Sequence, residues 1–276
     1  MKIYFCALLL LIIGCTPVIQ TTTNQSFELD TSPSPFLSDS ALQIGLWNVQ
    51  VLGDAKVAKP AVYQYIIEQM KKYDIIVIQE IRDADGSAWA KICNDLPEHN
   101  CLISSRAGRS SSKEQIGIAY SQKIMRLDTQ DFNPDLQDRW ERPPYKAVFS
   151  IAPTYNLTLY TMHISPSDVS KEFTELEGLV HSQNETGKVI VLGDFNLDCD
   201  YFDETNITQF ENWTYSISNE FDTNLAPSSC TYDRMILNPL AAETLIARGV
   251  YGRGMNANMS DHYIVWNAFE VSEWST

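Results

Sequence analysis

Two polar side chains follow directly after an apolar run near the middle of the chain. Residues 188–192 read Lys-Val-Ile-Val-Leu, and after Gly193 come Asp194 and Asn196. The run is typical of a buried strand, and Asp194 and Asn196 share one face if the extended backbone continues. A carboxylate beside an amide donor suits a metal-bound phosphate, whereas the alternative is an ordinary Asp/Asn turn at a strand end.

Further polar groups stand at the ends of other strand-like segments. Asn48 lies near the end of an alternating segment, Glu80 ends a nearly continuous apolar run, and His163 ends a third segment. Because α/β sheets carry their sites at the carboxyl ends of strands, we expect these groups to meet at one edge. Each of these residues alone has an ordinary alternative role. Asn48 could be a turn amide, Glu80 could be half of a surface ion pair with Arg82, and His163 could be a structural histidine.

Two acids and a histidine stand at the beginnings of the last strand-like segments. Asp233 precedes an apolar run that ends at Leu237, and the pair Asp261-His262 precedes the final apolar segment. Adjacent residues on a strand point to opposite faces, so they reach one pocket only through a bend. A bend is therefore expected where the last strand begins.

The segments that must position these groups alternate between strand and helix patterns. Apolar residues at helical spacing in residues 60–72, with Pro60 at the start, predict a helix that covers the sheet. Other helices are expected at residues 87–93 and 169–181. Strands are expected at residues 43–50, 74–80, 115–120, 145–151, 157–163, 188–192, 230–237 and 261–266. A chain of 276 residues is long enough for one large α/β domain, which we place at residues 41–276.

The chain is strongly acidic, with a formal net charge of -15. This charge argues against binding nucleic acid by bulk electrostatics, since phosphate contacts normally need a basic face. A nuclease with this composition would need cations or a few well-placed arginines. The polar loop at residues 104–114, which contains Arg106 and Arg109, is a candidate clamp for a polyanion. The alternative is a solvated hairpin tip.

The N-terminal residues predict export. Residues 1–14 carry one lysine and then an apolar stretch of the length of a signal peptide, too short to span a bilayer comfortably. Ile-Ile-Gly before Cys15 is similar to a lipoprotein cleavage box, so Cys15 is a candidate lipid anchor to the outer face of the cell membrane. Residues 15–40 have the Ser, Thr and Pro content of a disordered linker. We therefore expect a secreted or surface-anchored protein.

Four cysteines remain beyond the signal segment: Cys93, Cys101, Cys199 and Cys230. An even number in an exported chain favours disulfides. Local pairing, Cys93 with Cys101 and Cys199 with Cys230, is one of three possible connectivities and the preferred one. Zinc is the rival interpretation, but no pair has Cys-x-x-Cys spacing and no nearby histidine completes a ligand set.

Taken together, these segments resemble the endonuclease/exonuclease/phosphatase superfamily, most closely the secreted deoxyribonuclease I family. The resemblance rests on motifs that occur in order: W-N-V-Q (47–50), Y-D-I-I-V-I-Q-E-I-R-D (73–83), G-R-S-S-S-K-E (108–114), H-I-S-P-S-D (163–168), G-D-F-N-L-D-C (193–199), C-T-Y-D-R (230–234) and S-D-H-Y (260–263). It implies an α/β fold, a four-layered sandwich of two packed mixed β-sheets flanked by helices.

The resemblance also implies a role for each polar residue of these motifs. The carboxylates that would hold Mg²⁺ or Mn²⁺ are Glu80, Asp194 and Asp261. The amides that would bind the scissile phosphate are Asn48 and Asn196. The acid/base pair would be His163, oriented by Glu114, and His262, oriented by Asp233. Hard oxygen ligands suit these cations, and a carboxylate behind an imidazole fixes its tautomer.

Two features of the resemblance are incomplete in this chain. The positions that the family uses for DNA binding read Gln50 instead of arginine, Arg82 as expected, and Ser112 instead of tyrosine, with Arg109 and Arg142 as further cations. We therefore expect a weak hold on duplex DNA. Structural Ca²⁺ is implied at two places. At the first, Asp222 is present, but positions 224, 226 and 228, which are usually threonines in the family, hold other residues. At the second, Asp131 and Asp138 are present, but a proline stands at position 143 in place of the expected glutamate.

The resulting hypothesis is a monomeric, divalent-metal-dependent endonuclease that hydrolyses DNA to 5′-phosphate and 3′-hydroxyl ends, with double-stranded DNA as the expected substrate. One alternative is a secreted sphingomyelinase-like phosphodiesterase, which would need an apolar membrane-insertion loop that the sequence lacks. Another is a catalytically silent binding domain on the same fold. Retention of all the polar positions named above argues against the silent domain.

Overall fold

The computed structural model of the protein describes residues 41–272. The expected signal segment, residues 1–14, and the linker with Cys15, residues 15–40, lie outside the described residues. Across residues 41–272 no helix is both long enough and apolar enough to cross a membrane.

Strands and short helices alternate along the described chain. The strands are β1 (Ala41–Leu52), β2 (Ile75–Ile81), β3 (His99–Ile103), β4 (Gln115–Ser121), β5 (Met125–Asp131), β6 (Tyr145–Ala152), β7 (Tyr155–Thr161), β8 (Lys188–Asp194), β9 (Thr214–Tyr215), β10 (Asp233–Leu237), β11 (Leu245–Tyr251) and β12 (Ile264–Glu270). The helices are α1 (Asp54–Val57), α2 (Pro60–Met70), α3 (Ser87–Asn94), α4 (Val169–Ser182) and α5 (Pro239–Ala242).

The strands form two mixed sheets of six strands each. Sheet 1 has the order β11-β12-β1-β2-β4-β3, and sheet 2 has the order β5-β6-β7-β8-β10-β9. Each sheet contains a parallel pair, β1 with β2 and β7 with β8. Parallel neighbours need a crossover connection, and α2 and α4 lie in these two connections.

Alternation of side chains along the central strands builds the core. In β8, Ile190 and Leu192 point into the space between the sheets, whereas Val189 and Val191 point to the side of α4. β2 alternates in the same way between the central core and the layer under α2 and α3. A continuous apolar run is thus buried on both faces of its sheet.

Helices cover the outer face of each sheet. α2 buries Val62, Ile66 and Met70 on the outer side of sheet 1, and α4 buries Phe173 and Leu176 on the outer side of sheet 2. α2 begins at Pro60, whose missing N–H is harmless in the first turn. The layers therefore run helix, sheet, sheet, helix, and the predicted four-layered sandwich is confirmed.

Both predicted disulfides are present. Cys93, in α3, is bonded to Cys101, in β3. Cys199 follows β8 and is bonded to Cys230, which precedes β10. The second bond ties together two loops at the edge where β8 ends. Because all four cysteines are used, none remains to form the zinc site considered as the rival interpretation.

Gly193 lies where β8 passes close to the end of β7. A Cβ atom at this position would lie 1.9 Å from the carbonyl oxygen of Met162, a backbone atom that cannot rotate away. The same Cβ would meet the ring of Phe195 at 2.6 Å. Glycine is therefore required immediately before Asp194, which explains why the apolar run ends with this residue.

We expect Gly193→Ala to lower the free energy of unfolding by about 2 to 3 kcal/mol, the upper part of the usual range for overpacking. Urea denaturation followed by circular dichroism measures the change. Gly178→Ala is the matched control, because a Cβ at this position of α4 meets nothing within 4 Å. Alanine is also the better helix former, by roughly 1 kcal/mol. A Gly193→Ala protein as stable as the wild type would contradict the close approach.

Candidate functional site

The side-chain amide of Asn48 joins the two sheets at one edge. It lies in β1 and is fully buried, and its Nδ2 donates to Glu80 Oε1 at 3.2 Å and to Asp194 Oδ2 at 2.9 Å. Glu80 belongs to sheet 1 and Asp194 to sheet 2. The polar ends of strands from both sheets therefore meet at one place, which we call the rim.

Gln79 provides a second link between the sheets beneath the rim. Its Oε1 accepts a hydrogen bond from the backbone N–H of Asp194 at 2.9 Å, and its Nε2 donates to the carbonyl of Met162 at 2.9 Å. Gln79 is fully buried in β2. The side-chain amide of Gln79 thus fixes the position of Asp194 relative to sheet 1.

At the ends of β1 and β2 the backbone adopts left-handed conformations at three residues that are not glycine. The φ angles are +38° at Gln50, +58° at Val51 and +60° at Glu80. The pairing of β1 with β2 shifts register across this stretch. Positive φ is a genuine outlier for a β-branched residue such as Val51, and strain of this kind is concentrated at functional sites. Val51 N donates to Glu80 Oε2 at 3.0 Å, so the distortion aims the carboxylate.

Two imidazoles face the same carboxylate oxygen from opposite sheets. His163 follows β7 and His262 precedes β12, and the Nε2 atom of each lies 3.5 Å from Asp194 Oδ2. His163 is buried and His262 is partly buried. The arrangement leaves both Nε2 atoms directed at the rim, where a substrate would meet them.

A buried carboxylate holds the first imidazole from behind. Glu114 Oε2 lies 2.9 Å from His163 Nδ1, and its Oε1 lies 3.0 Å from a guanidinium nitrogen of Arg142. Burial raises the pKa of Glu114, but His163 and Arg142 outweigh it and the pKa is lowered. Burial and Arg142 lower the pKa of His163, whereas Asp194 and Glu114 raise it, with a raised pKa as the result. The pair is therefore an ionised carboxylate behind a readily protonated imidazole.

A second carboxylate holds the other imidazole in the same way. Asp233, at the start of β10, places Oδ2 at 2.8 Å from His262 Nδ1. Burial lowers the pKa of His262, but the negative charges of Asp233 and Asp194 outweigh this effect and raise the pKa to about 10. Trp47 Nε1 donates to the backbone carbonyl of His262 at 3.0 Å and fixes its position. The rim thus holds two imidazole–carboxylate pairs, one on each side of Asp194.

The two remaining residues expected at the rim occupy its flanks. Asn196 is buried, with φ +52°, and its Nδ2 donates to the carbonyl of Ile164 at 3.0 Å. Asp261 is the outermost carboxylate, with a side chain 52% exposed, and Gln50 Nε2 donates to its Oδ2 at 2.8 Å. Asn196 therefore lies beside Asp194, and Asp261 lies on the solvent side.

The donor atoms at the rim suit a hard divalent cation, although the tightest clusters differ from the expected set. Oxygen and nitrogen atoms lie within 4.8 Å of one another in two groups, Glu80 with Glu114 and His163, and Asp194 with Asp233 and His262. Glu80 and Asp194 approach each other around the amide of Asn48, and Asp261 lies further out. Carboxylate oxygens are the ligands that Mg²⁺ and Mn²⁺ prefer, with water completing the shell.

The residues expected to bind DNA differ in how free their charges are. Arg82 is partly exposed and lies 3.0 Å from Glu80 Oε2. Arg142 is 11% exposed, and its Nε donates to the carbonyl of His163 at 3.0 Å, so it also holds that loop in place. Arg109 is exposed but pairs with Asp138 at 3.1 Å. Ser112 lies exposed in the same loop as Arg109. In the loop at residues 104–114, which we call the basic loop, Arg109 is therefore paired with an acid, whereas Arg106 donates to the backbone carbonyls of Asp83 and Lys113.

The surroundings of Asp222 do not suit calcium. The side-chain Nδ2 of Asn224 donates to Asp222 Oδ1 at 3.3 Å and to the carbonyls of Ser228 at 3.1 Å and Cys230 at 3.3 Å. Its Oδ1 accepts from the N–H of Ala226 at 2.6 Å, which fixes the orientation of the amide. The Nδ2 atom of Asn224 thus lies at the centre of a cluster of oxygen atoms. A Ca²⁺ ion at this place would need an oxygen ligand instead of this nitrogen.

We expect Asn224→Asp to convert this loop into a calcium site. The change places a carboxylate oxygen opposite Asp222, so Ca²⁺ should raise the Tm of the variant by about 5 °C at a hundredfold excess over Kd. The wild-type Tm should be the same in Ca²⁺ and in chelator. Asn258→Asp, at an exposed position, is the control. A wild-type Tm that falls on chelation would contradict the amide's role.

The second place where calcium is implied also has its acids engaged. Asp131 Oδ2 accepts from the N–H of Ser105 at 2.6 Å, and its Oδ1 accepts from the N–H of Asn133 at 3.0 Å. Asp138 is the partner of Arg109. Hydrogen bonds from backbone and guanidinium donors therefore already serve both carboxylates.

Three residues that support the rim were not predicted from the sequence. Gln79 links the sheets, Ser260 Oγ donates to the carbonyl of Asn48 at 2.6 Å, and Lys56 binds carbonyls on two segments. A glutamine inside the apolar run of β2 was the one available signal for Gln79, because a polar side chain in a buried strand needs a partner. Lys56 and Ser260 stand in polar segments and gave no such signal.

The comparisons with known proteins agree with this architecture. The model of the endonuclease/exonuclease/phosphatase family matches residues 45–262. Deoxyribonuclease-1-like 2 of Mus musculus is 29% identical over 214 residues, which cover 72% of this chain and 77% of the relative. Deoxyribonuclease-1 of Bos taurus is 26% identical over 256 residues, which cover 82% of this chain and 91% of the relative.

Solved structures share the fold at lower identity. Humanized D. rerio TDP2 has a TM-score of 0.65 and 16% identity, and covers 84% of this chain and all (100%) of its own. An endonuclease/exonuclease/phosphatase protein from Bacteroides vulgatus has a TM-score of 0.64 and 15% identity, and covers 84% of this chain and 99% of its own. These structures support the two-sheet architecture alone.

Proposed function

Because the chain belongs to the endonuclease/exonuclease/phosphatase family, whose similar members here include deoxyribonucleases, we propose that it is a divalent-metal-dependent endonuclease that hydrolyses DNA. The coarser activity, hydrolysis of phosphodiester bonds, follows from the family and these relatives. The observation that supports the finer proposal best is the convergence of two imidazole–carboxylate pairs on Asp194. Export and an extracellular site of action are part of the same proposal, since the chain contains two disulfides.

The residues of the rim divide the work of phosphodiester hydrolysis. A divalent cation held by Glu80, Asp194 and Asp261 would supply positive charge to the nonbridging oxygens of the phosphate. We expect the side-chain amides of Asn48 and Asn196 to donate hydrogen bonds to the same phosphate, in exchange for their contacts with Asp194 and with the carbonyl of Ile164.

The two histidines supply proton transfer. One imidazole in its neutral form removes a proton from the attacking water, and the other in its protonated form returns a proton to the leaving 3′-oxygen. The carboxylates Glu114 and Asp233 hold Nδ1 of each ring, so that Nε2 faces the substrate. Cleavage of the bond between phosphorus and the 3′-oxygen leaves 5′-phosphate and 3′-hydroxyl ends.

Nicking of supercoiled plasmid in Mg²⁺, in Mn²⁺ and in EDTA tests this proposal. We expect nicking in both cations and none in EDTA, with 3′-hydroxyl ends that a polymerase extends. Sphingomyelin and p-nitrophenyl phosphate serve as competing substrates for the alternative phosphodiesterase. Faster hydrolysis of sphingomyelin than of DNA would overturn the proposal, and no hydrolysis of any substrate would favour a silent binding domain.

Cleavage should depend strongly on Arg82 and should fall as the NaCl concentration rises. Arg82 and Arg109 each have an acidic partner, so the affinity for DNA rests on a small number of phosphate contacts, and the loss of one of them should be measurable. We expect Arg82→Ala to raise KM roughly tenfold, the value of one charged hydrogen bond, and to reduce the salt slope by about one. Ser112→Tyr should lower KM by adding a ring that stacks on sugar. Steady-state nicking across a NaCl series measures both.

Arg248→Ala is the control for Arg82→Ala, because Arg248 lies on the edge strand β11 and also pairs with an acid, Glu220. Its KM should equal that of the wild type. If Arg82→Ala and Ser112→Tyr both leave the salt series unchanged, DNA does not contact these two positions, and the basic loop is a solvated hairpin.

A further inference from the structure

We propose that Lys56 and Gln50 are positioning residues that together hold Asp261 as a metal ligand. This inference rests on the proposed function, because the cation is part of that function. Asp261 is the most exposed of the three carboxylates expected to bind the cation. An exposed side chain has many rotamers, and ordering it for a ligand costs conformational entropy unless neighbours fix it in advance.

Lys56 ties together the two segments that meet at Asp261. It lies in α1 and is 9% exposed, and its Nζ donates to the carbonyls of Val49 at 2.7 Å, of Gln50, and of Met259 at 2.8 Å. An ammonium group has three N–H donors, so all of them are used. Two of the carbonyls belong to the distorted end of β1, and the third precedes Asp261. The ammonium therefore sets the spacing between these segments.

Gln50 completes the connection with a direct contact. Its Nε2 donates to Asp261 Oδ2 at 2.8 Å, while its backbone N–H donates to Asn48 Oδ1 at 3.0 Å. Between residues 41 and 272, Gln50 is the only residue whose side chain forms a hydrogen bond with the Asp261 carboxylate. The left-handed backbone of Gln50 is thus held at one end by Asn48 and directs its amide to the outermost acid.

The positive charge of Lys56 lies near the acids without neutralising them by contact. Burial lowers the pKa of Lys56 to about 8, while the negative charges of Asp261 and Glu80 raise it. Its three N–H groups donate to backbone carbonyls, so Lys56 itself occupies no carboxylate oxygen of Asp261 or Glu80. A lysine that formed ion pairs with these acids would compete with the metal. Lys56 is therefore placed to support a metal site and not to take the place of the metal ion.

The test measures Mn²⁺ binding by titration calorimetry, with no DNA present, in a double-mutant cycle of Gln50→Ala and Asp261→Ala. We expect Gln50→Ala to raise the Kd for Mn²⁺ roughly tenfold, the lower value for loss of a residue that orients a ligand. In the Asp261→Ala background, Gln50→Ala should have no further effect, because the residue it positions is absent. Lys56→Met should raise the Kd by a similar factor.

Gln64→Ala and Lys59→Met are the matched controls, since both residues are exposed nearby and neither contacts the rim. Melting temperatures separate a loss of fold from a loss of metal affinity. Because Lys56→Met removes a buried group, the conclusion depends on Gln50→Ala, whose Tm should equal that of the wild type. An equal rise in Kd with and without Asp261, an unchanged Kd, or a wild type that binds no Mn²⁺ overturns the inference.

Failure of the proposed function is a separate result. If the cycle behaves as expected but plasmid DNA is not nicked, the positioning of Asp261 stands and the assignment of DNA as substrate falls. If DNA is nicked but the cycle shows no coupling, the proposed function stands and the roles of Gln50 and Lys56 fall.

Discussion

His163→Ala and His262→Ala should each lower kcat for plasmid nicking by about 10² to 10⁴-fold, the usual contribution of a positioned acid or base. Each imidazole directs Nε2 at Asp194 from 3.5 Å, and each is held by its own carboxylate. Since the two act as one unit, the double variant should be little worse than either single one. Initial rates at saturating Mg²⁺ measure the effect.

His181→Ala is the control for this pair. His181 lies in the last turn of α4 with its side chain 55% exposed, and its ring contacts Phe210 and Trp213. Its kcat should match that of the wild type. Circular dichroism should show all three variants folded. Wild-type turnover by His163→Ala at saturating Mg²⁺ would remove this residue from the acid/base pair.

Loss of the Cys199–Cys230 bond should lower the free energy of unfolding by roughly 3 to 4 kcal/mol. The bond closes a loop with a sequence separation of 31. The value follows from the chain entropy that such a loop removes from the unfolded state. Urea denaturation of the double variant Cys199→Ser/Cys230→Ser measures it. Activity should fall at lower urea than the far-ultraviolet signal, because the loop after Asp194 opens first.

The other disulfide provides an internal comparison. Cys93 and Cys101 are only 8 apart in sequence, so the double variant Cys93→Ser/Cys101→Ser should lose less, about 2.5 kcal/mol on the same relation. Its activity and far-ultraviolet signal should disappear together, because this bond lies away from the rim. A larger loss from the short loop than from the long one would be incompatible with the entropic account.

The strands that the sequence predicted are those with two buried faces or regular alternation. β2 and β8 are near-continuous apolar runs, and each was expected within a residue or two of its observed bounds. The unpredicted strands β3, β5, β9 and β11 are the four edge strands of the two sheets. An edge strand such as β5, Met-Arg-Leu-Asp-Thr-Gln-Asp, is largely exposed, and its two apolar side chains, Met125 and Leu127, are exposed as well. This segment is a strand because its backbone forms hydrogen bonds with the neighbouring strand β6.

The candidate site shows the same division. Asn48, Glu80 and Asp194 could be placed at one edge because each follows a recognisable strand. The distances that join them could not be predicted, since they arise from the packing of one sheet on the other. Arg142 illustrates the limit: its sequence position suggests a DNA contact, whereas its neighbours Glu114 and Glu141 draw it into the support of the first imidazole.

The order of strands has a consequence for how the chain folds during synthesis. Sheet 2 comes from one continuous stretch, residues 125–237, whereas sheet 1 combines β1 to β4 with β11 and β12. In the pairing of β1 with β12, Ala41 lies opposite Glu270, so this contact closes a loop almost as long as the described chain. Loop-closure entropy grows with length, and ribosomes deliver the C-terminal strands last. His262 and Asp261 arrive with those strands, so a growing chain carries no complete rim, and hydrolysis begins only when the last strand joins the first.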